Sequence, residues 1–218
     1  MNIAISGSSG FIGSNLTNFL SKYKNINLIT ISRNSPLDDN SYSYDDFFSG
    51  NIDKKIDVFI HLASPNYDYC KDDSLRDGVV ALTENILKNL ENYGCKKFIY
   101  FSSCKVYGES SMDNIIYSES SKLNPISDYA KAKAEAETVV SDFSIEKNIG
   151  FLIYRLPFVY GDGMKSNLKT LLKIINQSIP FILIKGKSSP KKSFVCIDNI
   201  NKTIIYNIEN LHSIDNSI

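Results

Sequence analysis

The sequence predicts an α/β fold, a doubly wound parallel sheet, and three observations predict it. Short apolar runs alternate with stretches of helical period, the order that builds a parallel sheet from βαβ units. The first run ends in three spaced glycines, and a helical pattern starts directly behind them. No apolar run approaches the length of a membrane span.

Strands are expected, in order, at Asn2–Ser6, Asn27–Ser32, Val58–Ala63, Lys97–Ser103 and Phe151–Pro157. Between them Phe11–Lys22, Leu75–Tyr93 and Ser127–Lys147 place apolar residues at helical spacing. The stretch from Asn34 to Lys55 is polar, aromatic and poorly periodic, and supports only a short strand near Tyr42–Tyr44. After Pro157 a turn at Gly161-Asp162-Gly163 leads to a helix and then a short strand at Phe181–Ile184. Pro180 and Pro190 bracket that strand and make it an edge or an excursion. A last helix is expected around Ile200–Asn210.

A chain of 218 residues fits one domain with a small appendage. The division expected is a dinucleotide-binding part at 1–160 and a partial substrate-binding region at 161–218, interleaved with the last sheet elements. Net charge is zero, so no global field recruits nucleic acid or an anionic membrane. The four cysteines show no Cys-x-x-Cys spacing and no secreted framework, which reads as reduced thiols in a cytoplasmic protein. With two histidines, scattered cysteines and no carboxylate cluster, no metal site is expected. His61, inside an apolar strand, reads as a hydrogen-bonded core or near-cofactor histidine.

The first strand runs into Gly7-Ser8-Ser9-Gly10-Phe11-Ile12-Gly13, and a helix follows at once. Glycines so spaced give a tight turn, let the backbone approach a pyrophosphate and pack the helix closely, the signature of a Rossmann fold. The helix N-terminus then offers free N–H groups and a positive dipole end. A site for NAD usually ends its second strand with a carboxylate for the ribose 2′-hydroxyl. Here that strand ends Ser32-Arg33. Arg33 is either a solvated loop charge or, with Ser32, a ligand for a 2′-phosphate, which leans towards NADP(H) with NAD as the alternative.

Tyr129 and Lys133 stand four apart on an expected helix, so their side chains share a face. A phenol titrates near 10 when unperturbed. A neighbouring ammonium and a positive nicotinamide ring both favour the phenolate. Alone, such a pair is usually a surface pair. Upstream, however, the strand ending in Ser102-Ser103 delivers a hydroxyl to the carboxyl edge of the sheet, where open α/β folds bind ligands. Ser103 can hydrogen-bond a substrate oxygen while Tyr129 transfers its proton.

Gly7-x-x-Gly10-x-x-Gly13, Asp57–Ser64, Ser102-Ser103-x-x-Val106-Tyr107-Gly108 and Tyr129-x-x-x-Lys133 occur in that order. Arg155-x-x-x-Val159-Tyr160-Gly161 and Ser193-Phe194-Val195-x-Ile197-Asp198-Asn199 follow. The set resembles the extended short-chain dehydrogenase/reductase family, in its NAD-dependent epimerase/dehydratase branch, over nearly the whole chain. The resemblance implies NAD(P)-dependent hydride transfer at C4 of a nucleotide-linked hexose, as a 4-ketoreductase or 4-epimerase. It implies that Ser103 polarises the sugar oxygen, that Tyr129 is the general acid/base, and that Lys133 binds the nicotinamide ribose. Gly7, Gly10, Phe11, Ile12 and Gly13 would cradle the pyrophosphate, with Ala63 packed near the cofactor. Asn167 and Leu168 are similar to the segment that grips the nucleotide diphosphate.

The run from Gly161 to Leu168 and the pair Lys105-Val106 look most like bacterial surface-polysaccharide enzymes. A homodimer through helices 75–93 and 127–147 is a further implication. Departures from the family pattern are Val79, where an Asn usually stands four residues before Thr83, and Lys192, where an Arg is common. Lys192 loses bidentate diphosphate binding. Family members continue past this point into the lobe that closes over the sugar, so the expected substrate part is incomplete. A truncated nucleotide-binding module with little or no activity is therefore the alternative.

Overall fold

The structure is a computed structural model, and it describes residues 1–33, 39–64, 73–108, 116–164, 176 and 192–210. Five apolar runs supply five strands of a six-stranded sheet: β1 (Asn2–Ser6), β2 (Asn27–Ser32), β4 (Val58–His61), β5 (Lys97–Ser103) and, at one edge, β6 (Gly150–Leu156). Parallel strands covered on both faces are apolar on both faces, which is why these segments read as runs and not as alternation. The short β3 (Ser41–Ser43) closes the other edge. The strand order is β3-β2-β1-β4-β5-β6, all parallel. The order reverses between β1 and β4, and such a switch point opens a crevice at the carboxyl ends of the strands. Ser6 there stands opposite both Ile31 and His61, and Ser103 opposite Leu156.

Helices α1 (Phe11–Leu20), α2 (Tyr44–Phe48), α3 (Asp73–Leu90), α4 (Asp128–Glu146) and α5 (Ile197–Glu209) cover the two faces. Successive strand side chains point to opposite faces. Ala4, Phe59, Phe98 and Tyr100 therefore pack with Phe47 of α2, Ile86 and Leu90 of α3, and Ala136 and Val140 of α4. Ile3, Ile5, Ile60 and Ile99 meet Leu16 and Leu20 of α1 and Ile200 and Ile204 of α5 on the other side. Thus α5, which follows the 160/161 division, seals the core of the sheet.

Several elements differ from expectation. Helix α2 was not anticipated; it is fixed by a capping box in which Ser43 accepts from Asp46 N and the Asp46 carboxylate accepts from Ser43 N. The strand expected near Tyr42–Tyr44 ends at Ser43 for that reason. Strand β4 stops at His61, two residues short of Ala63, because the chain there turns past Gly7. Helix α3 ends at Leu90 in a 3₁₀ turn, Glu91–Tyr93, capped by Gly94 in the left-handed region at φ 63°. A second, two-stranded parallel sheet joins β7 (Phe158–Tyr160) to β8 (Phe194–Cys196). The strand expected at Phe181–Ile184 lies outside the described residues. No helix among the described residues is long and apolar enough to cross a membrane.

Candidate active site

The cleft lies at the carboxyl edge of the sheet, beside the switch point. Its volume is about 330 Å³, and Gly7, Gly10, Phe11, Ile12, Gly13, Ser102, Ser103, Tyr129 and Lys133 all line it. Gly7 holds φ +78°, and a Cβ there would lie 2.7 Å from Ala63 N. A Cβ on Gly13 would lie 2.2 Å from Gly7 O. The backbone of the loop thus passes so close to helix α1 and to Ala63 that neither Gly7 nor Gly13 leaves room for a Cβ. The N-cap of α1 is Gly10, with no side-chain cap hydrogen bond and no acidic residue in the first turn. That leaves the N-terminal dipole to a ligand. Ser102 Oγ is buried at the cleft wall without a hydrogen-bond partner. A glycine cradle, an uncapped helix start and an orphan hydroxyl fit a dinucleotide cofactor.

Ser103 ends β5 in extended conformation, and its Oγ accepts from Lys105 N at 3.3 Å, capping the 3₁₀ turn Cys104–Tyr107. Ser127 caps α4 by accepting from Ala130 N, which sets Tyr129 in the first turn and Lys133 one turn on. Lys133 is buried, and its Nζ donates to Phe101 O at 2.9 Å and to Tyr100 Oη at 3.3 Å. Burial pushes the ammonium down to about 7, against the opposing field of Glu137. Tyr129 moves the other way. Burial pushes its phenol up, and Cys104 adds to that. The expectation that Lys133 lowers the phenol is therefore corrected for the protein without cofactor: desolvation dominates, and the ammonium is turned towards β5.

A second polar group lies behind Lys133. Ser6 Oγ and His61 Nδ1 are 2.7 Å apart, and His61 Nε2 lies 3.2 Å from Thr83 Oγ1. Thr83 gives its one proton to Val79 O at 2.7 Å, so it accepts from His61. His61 is then the Nε2–H tautomer, with Nδ1 accepting from Ser6. Burial pushes its pKa down to about 3, with the Lys133 charge adding. The Val79 departure thus leaves a carbonyl already taken by Thr83.

The other sequence candidates lie elsewhere. Ala63 packs against Gly7 while its neighbours Leu62 and Ser64 line the cleft. Ser32 and Arg33 stand at the end of β2, outside the cleft lining, and the Arg33 charge acts on Tyr44. Lys192 is exposed ahead of β8. Asn167 and Leu168 lie outside the described residues. Tyr107 is buried and Tyr160 is exposed on β7, and neither lines the cleft. Among the described residues no group of three or more His, Cys, Asp or Glu could hold a metal ion. Glu137 and Arg155, which form a buried ion pair beside Tyr107, were not read as a pair from the sequence. Eighteen residues separate them, and no periodicity connects a helix to the following strand across that distance.

Residues 3–217 match the model of the NAD dependent epimerase/dehydratase family. A UDP-glucose 4-epimerase of Vibrio cholerae is 26% identical over 219 residues, which is 93% of this chain and 65% of that protein. A dTDP-D-glucose 4,6-dehydratase of Dictyostelium discoideum is 28% identical over 241 residues, 91% of this chain and 53% of that protein. The chain thus spans between about half and two thirds of the length of these relatives. The UDP-glucuronic acid 4-epimerase of Bacillus cereus, solved with UDP-glucuronic acid and NAD, superposes at a TM-score of 0.81 with 24% identity. That alignment takes in 100% of this chain and 76% of the other, and it speaks to the fold.

Proposed function

The chain belongs to the NAD-dependent epimerase/dehydratase family, and from that premise we propose that it carries out NAD(P)-dependent hydride transfer at C4 of a nucleotide-linked hexose, as a reductase or a 4-epimerase. The observation that carries the proposal is the shared cleft, where the glycine cradle meets Ser103, Tyr129 and Lys133. A bound nicotinamide dinucleotide supplies the hydride donor and acceptor and, when oxidised, a positive ring that favours the Tyr129 phenolate. Tyr129 Oη gives a proton to the C4 oxygen or takes one from it. Ser103 donates a hydrogen bond to that same oxygen, and Lys133 holds the ribose. With its proton held by burial, Tyr129 enters the reducing direction as the acid it must be.

The proposal includes a homodimer through helices 75–93 and 127–147, supported by α3 and α4 lying side by side on one face of the sheet. A monomeric mass at micromolar concentration by light scattering counts against that part. A place in bacterial surface-polysaccharide sugar synthesis belongs to the same proposal and rests on the sequence pattern from Gly161 to Leu168.

The test is mass spectrometry of the nucleotide that co-purifies, followed by assays against UDP- and dTDP-hexoses and their 4-keto forms. Tyr129→Phe is expected to cut turnover by about 10²–10⁴-fold while leaving cofactor binding intact. Near-native turnover of Tyr129→Phe overturns the assignment. Cofactor binding without turnover of any sugar favours the nucleotide-binding module instead.

A further inference from the structure

Arg155, on β6, engages each of its three nitrogens. Its Nε donates to both Glu137 oxygens at 3.1 and 3.0 Å, and Nη2 to Glu137 Oε2 at 2.7 Å. Nη1 donates to Tyr107 Oη at 3.0 Å and to Glu119 O at 3.3 Å. The guanidinium carbon lies 5.0 Å from the Tyr107 ring centre, and Tyr107 stacks on Tyr117 at 5.4 Å. The side chains of Arg155 and Glu137 are only 8% and 4% exposed. A buried ion pair adds little stability over an apolar pair of the same volume, because desolvation offsets the attraction. Its position gives a different reason for it. Glu137 stands one turn beyond Lys133 on the inward face of α4, and i,i+4 side chains are neighbours.

The groups that face Lys133 can be named element by element. Strand β5 presents the Tyr100 hydroxyl and the Phe101 carbonyl, β4 presents neutral His61, and α3 presents Thr83 behind it. Helix α4 presents Tyr129 and Glu137. Glu137 is the carboxylate in this set, and Arg155 occupies both of its oxygens.

We propose that Arg155 is a positioning residue for Lys133: by binding both oxygens of Glu137 it keeps that carboxylate from pairing with the ammonium, which stays with Tyr100 and Phe101 and open to a ligand in the cleft. The assignment of Lys133 to a cofactor ribose rests on the function proposed above; the control of Lys133 by Arg155 does not. Without Arg155, Glu137 can turn to Lys133 along the same helix face and hold it charged. Without the Glu137 charge, Lys133 loses the field that favours its ammonium. The two deletions therefore act in opposite directions, whereas a purely structural junction would respond to both in the same way.

The experiment is a denaturant titration from pH 5 to 10 on the cofactor-free protein, comparing wild type, Arg155→Met and Glu137→Gln, each with and without Lys133→Met. The difference between each pair reads the ionisation of Lys133. Arg155→Met is expected to move that ionisation up and Glu137→Gln to move it down, each by about one pH unit. Should Arg155→Met fail to fold, Arg155→Lys keeps the charge but loses the fork, and is expected to move it up by less. The same variants are then titrated with NADH by fluorescence. A one-unit move changes the dissociation constant about tenfold on the sloping limb. Shifts in the same direction, or none, overturn the proposal. If no dinucleotide binds, the proposed function fails while the denaturant titration still decides the role of Arg155.

Discussion

Lys133 Nζ donates to Tyr100 Oη at 3.3 Å and stands 4.7 Å from the centre of the same ring, so one tyrosine meets the ammonium with its hydroxyl and its π face. Neither contact neutralises the charge, and burial pushes Lys133 down to about 7. Between that pH and the ordinary lysine value near 10.4, the unfolded chain holds a proton that the folded one has released. Folded-state stability contributed by this site therefore rises with pH across that window and is lowest below it.

Lys133→Met removes the cost of the buried ammonium and is expected to be more stable than wild type at pH 7. Its advantage should narrow by about 1.4 kcal/mol per pH unit between pH 7 and 9. Buried Cys95, pushed up to about 12, bends both profiles above pH 9 and cancels in the difference. Urea midpoints of the two proteins at matched pH check this. A constant offset from pH 7 to 9 would show that Lys133 is not neutralised by folding.

His61 governs the acid side. With its folded pKa pushed down to about 3, the unfolded chain takes up a proton below about 6.5 that the native imidazole refuses. Stability is therefore lost as the pH falls from 6.5 towards 3. His61→Leu should cost about 1–3 kcal/mol at pH 7, since the buried Ser6 hydroxyl loses its acceptor. The same variant should show a flatter acid limb than wild type. Parallel acid limbs in thermal melts from pH 7 to 4 would mean that His61 takes up its proton in the folded protein as readily as in the unfolded chain.

The fold was legible in the sequence because its central strands are buried on both faces. Ile3-Ala4-Ile5 and Phe98-Ile99-Tyr100-Phe101 could be placed as strands from composition alone. Helix α2 was not legible, because five residues are too few for a period to show. Its signal was Ser43 with Asp46 three residues on, a capping box that an aromatic stretch hides. Of the candidate site, the residues set by local patterns fall on the cleft together: the glycine loop, the end of β5 and the first turns of α4. What the sequence does not announce are the partners that meet only in three dimensions. Arg155 with Glu137 and Ser6 with His61 join separate elements at 18 and 55 residues' remove.

Cofactor choice gives the remaining prediction. Strand β2 ends at Ser32 with Arg33 exposed behind it, and among the described residues neither of these two positions, where a carboxylate for a 2′-hydroxyl is usual, carries one. Helix α2 brings Tyr44 to the same edge, where burial pushes its phenol up to about 12 and the Ser6 hydroxyl and the Arg33 charge oppose that rise. An exposed arginine beside a partly buried phenol is a setting for a phosphate dianion, with the guanidinium donating two parallel hydrogen bonds. The expected outcome is tighter binding of NADPH than of NADH by about tenfold, equal to about 1.4 kcal/mol. Because Arg33 is exposed, the preference should shrink as salt rises above about 0.1 M. Arg33→Ala should bring the two dissociation constants together by weakening NADPH and leaving NADH unchanged. Fluorescence titration of both cofactors at low salt decides it: equal affinity, or tighter NADH, removes the 2′-phosphate site from Arg33 and leaves NAD as the cofactor.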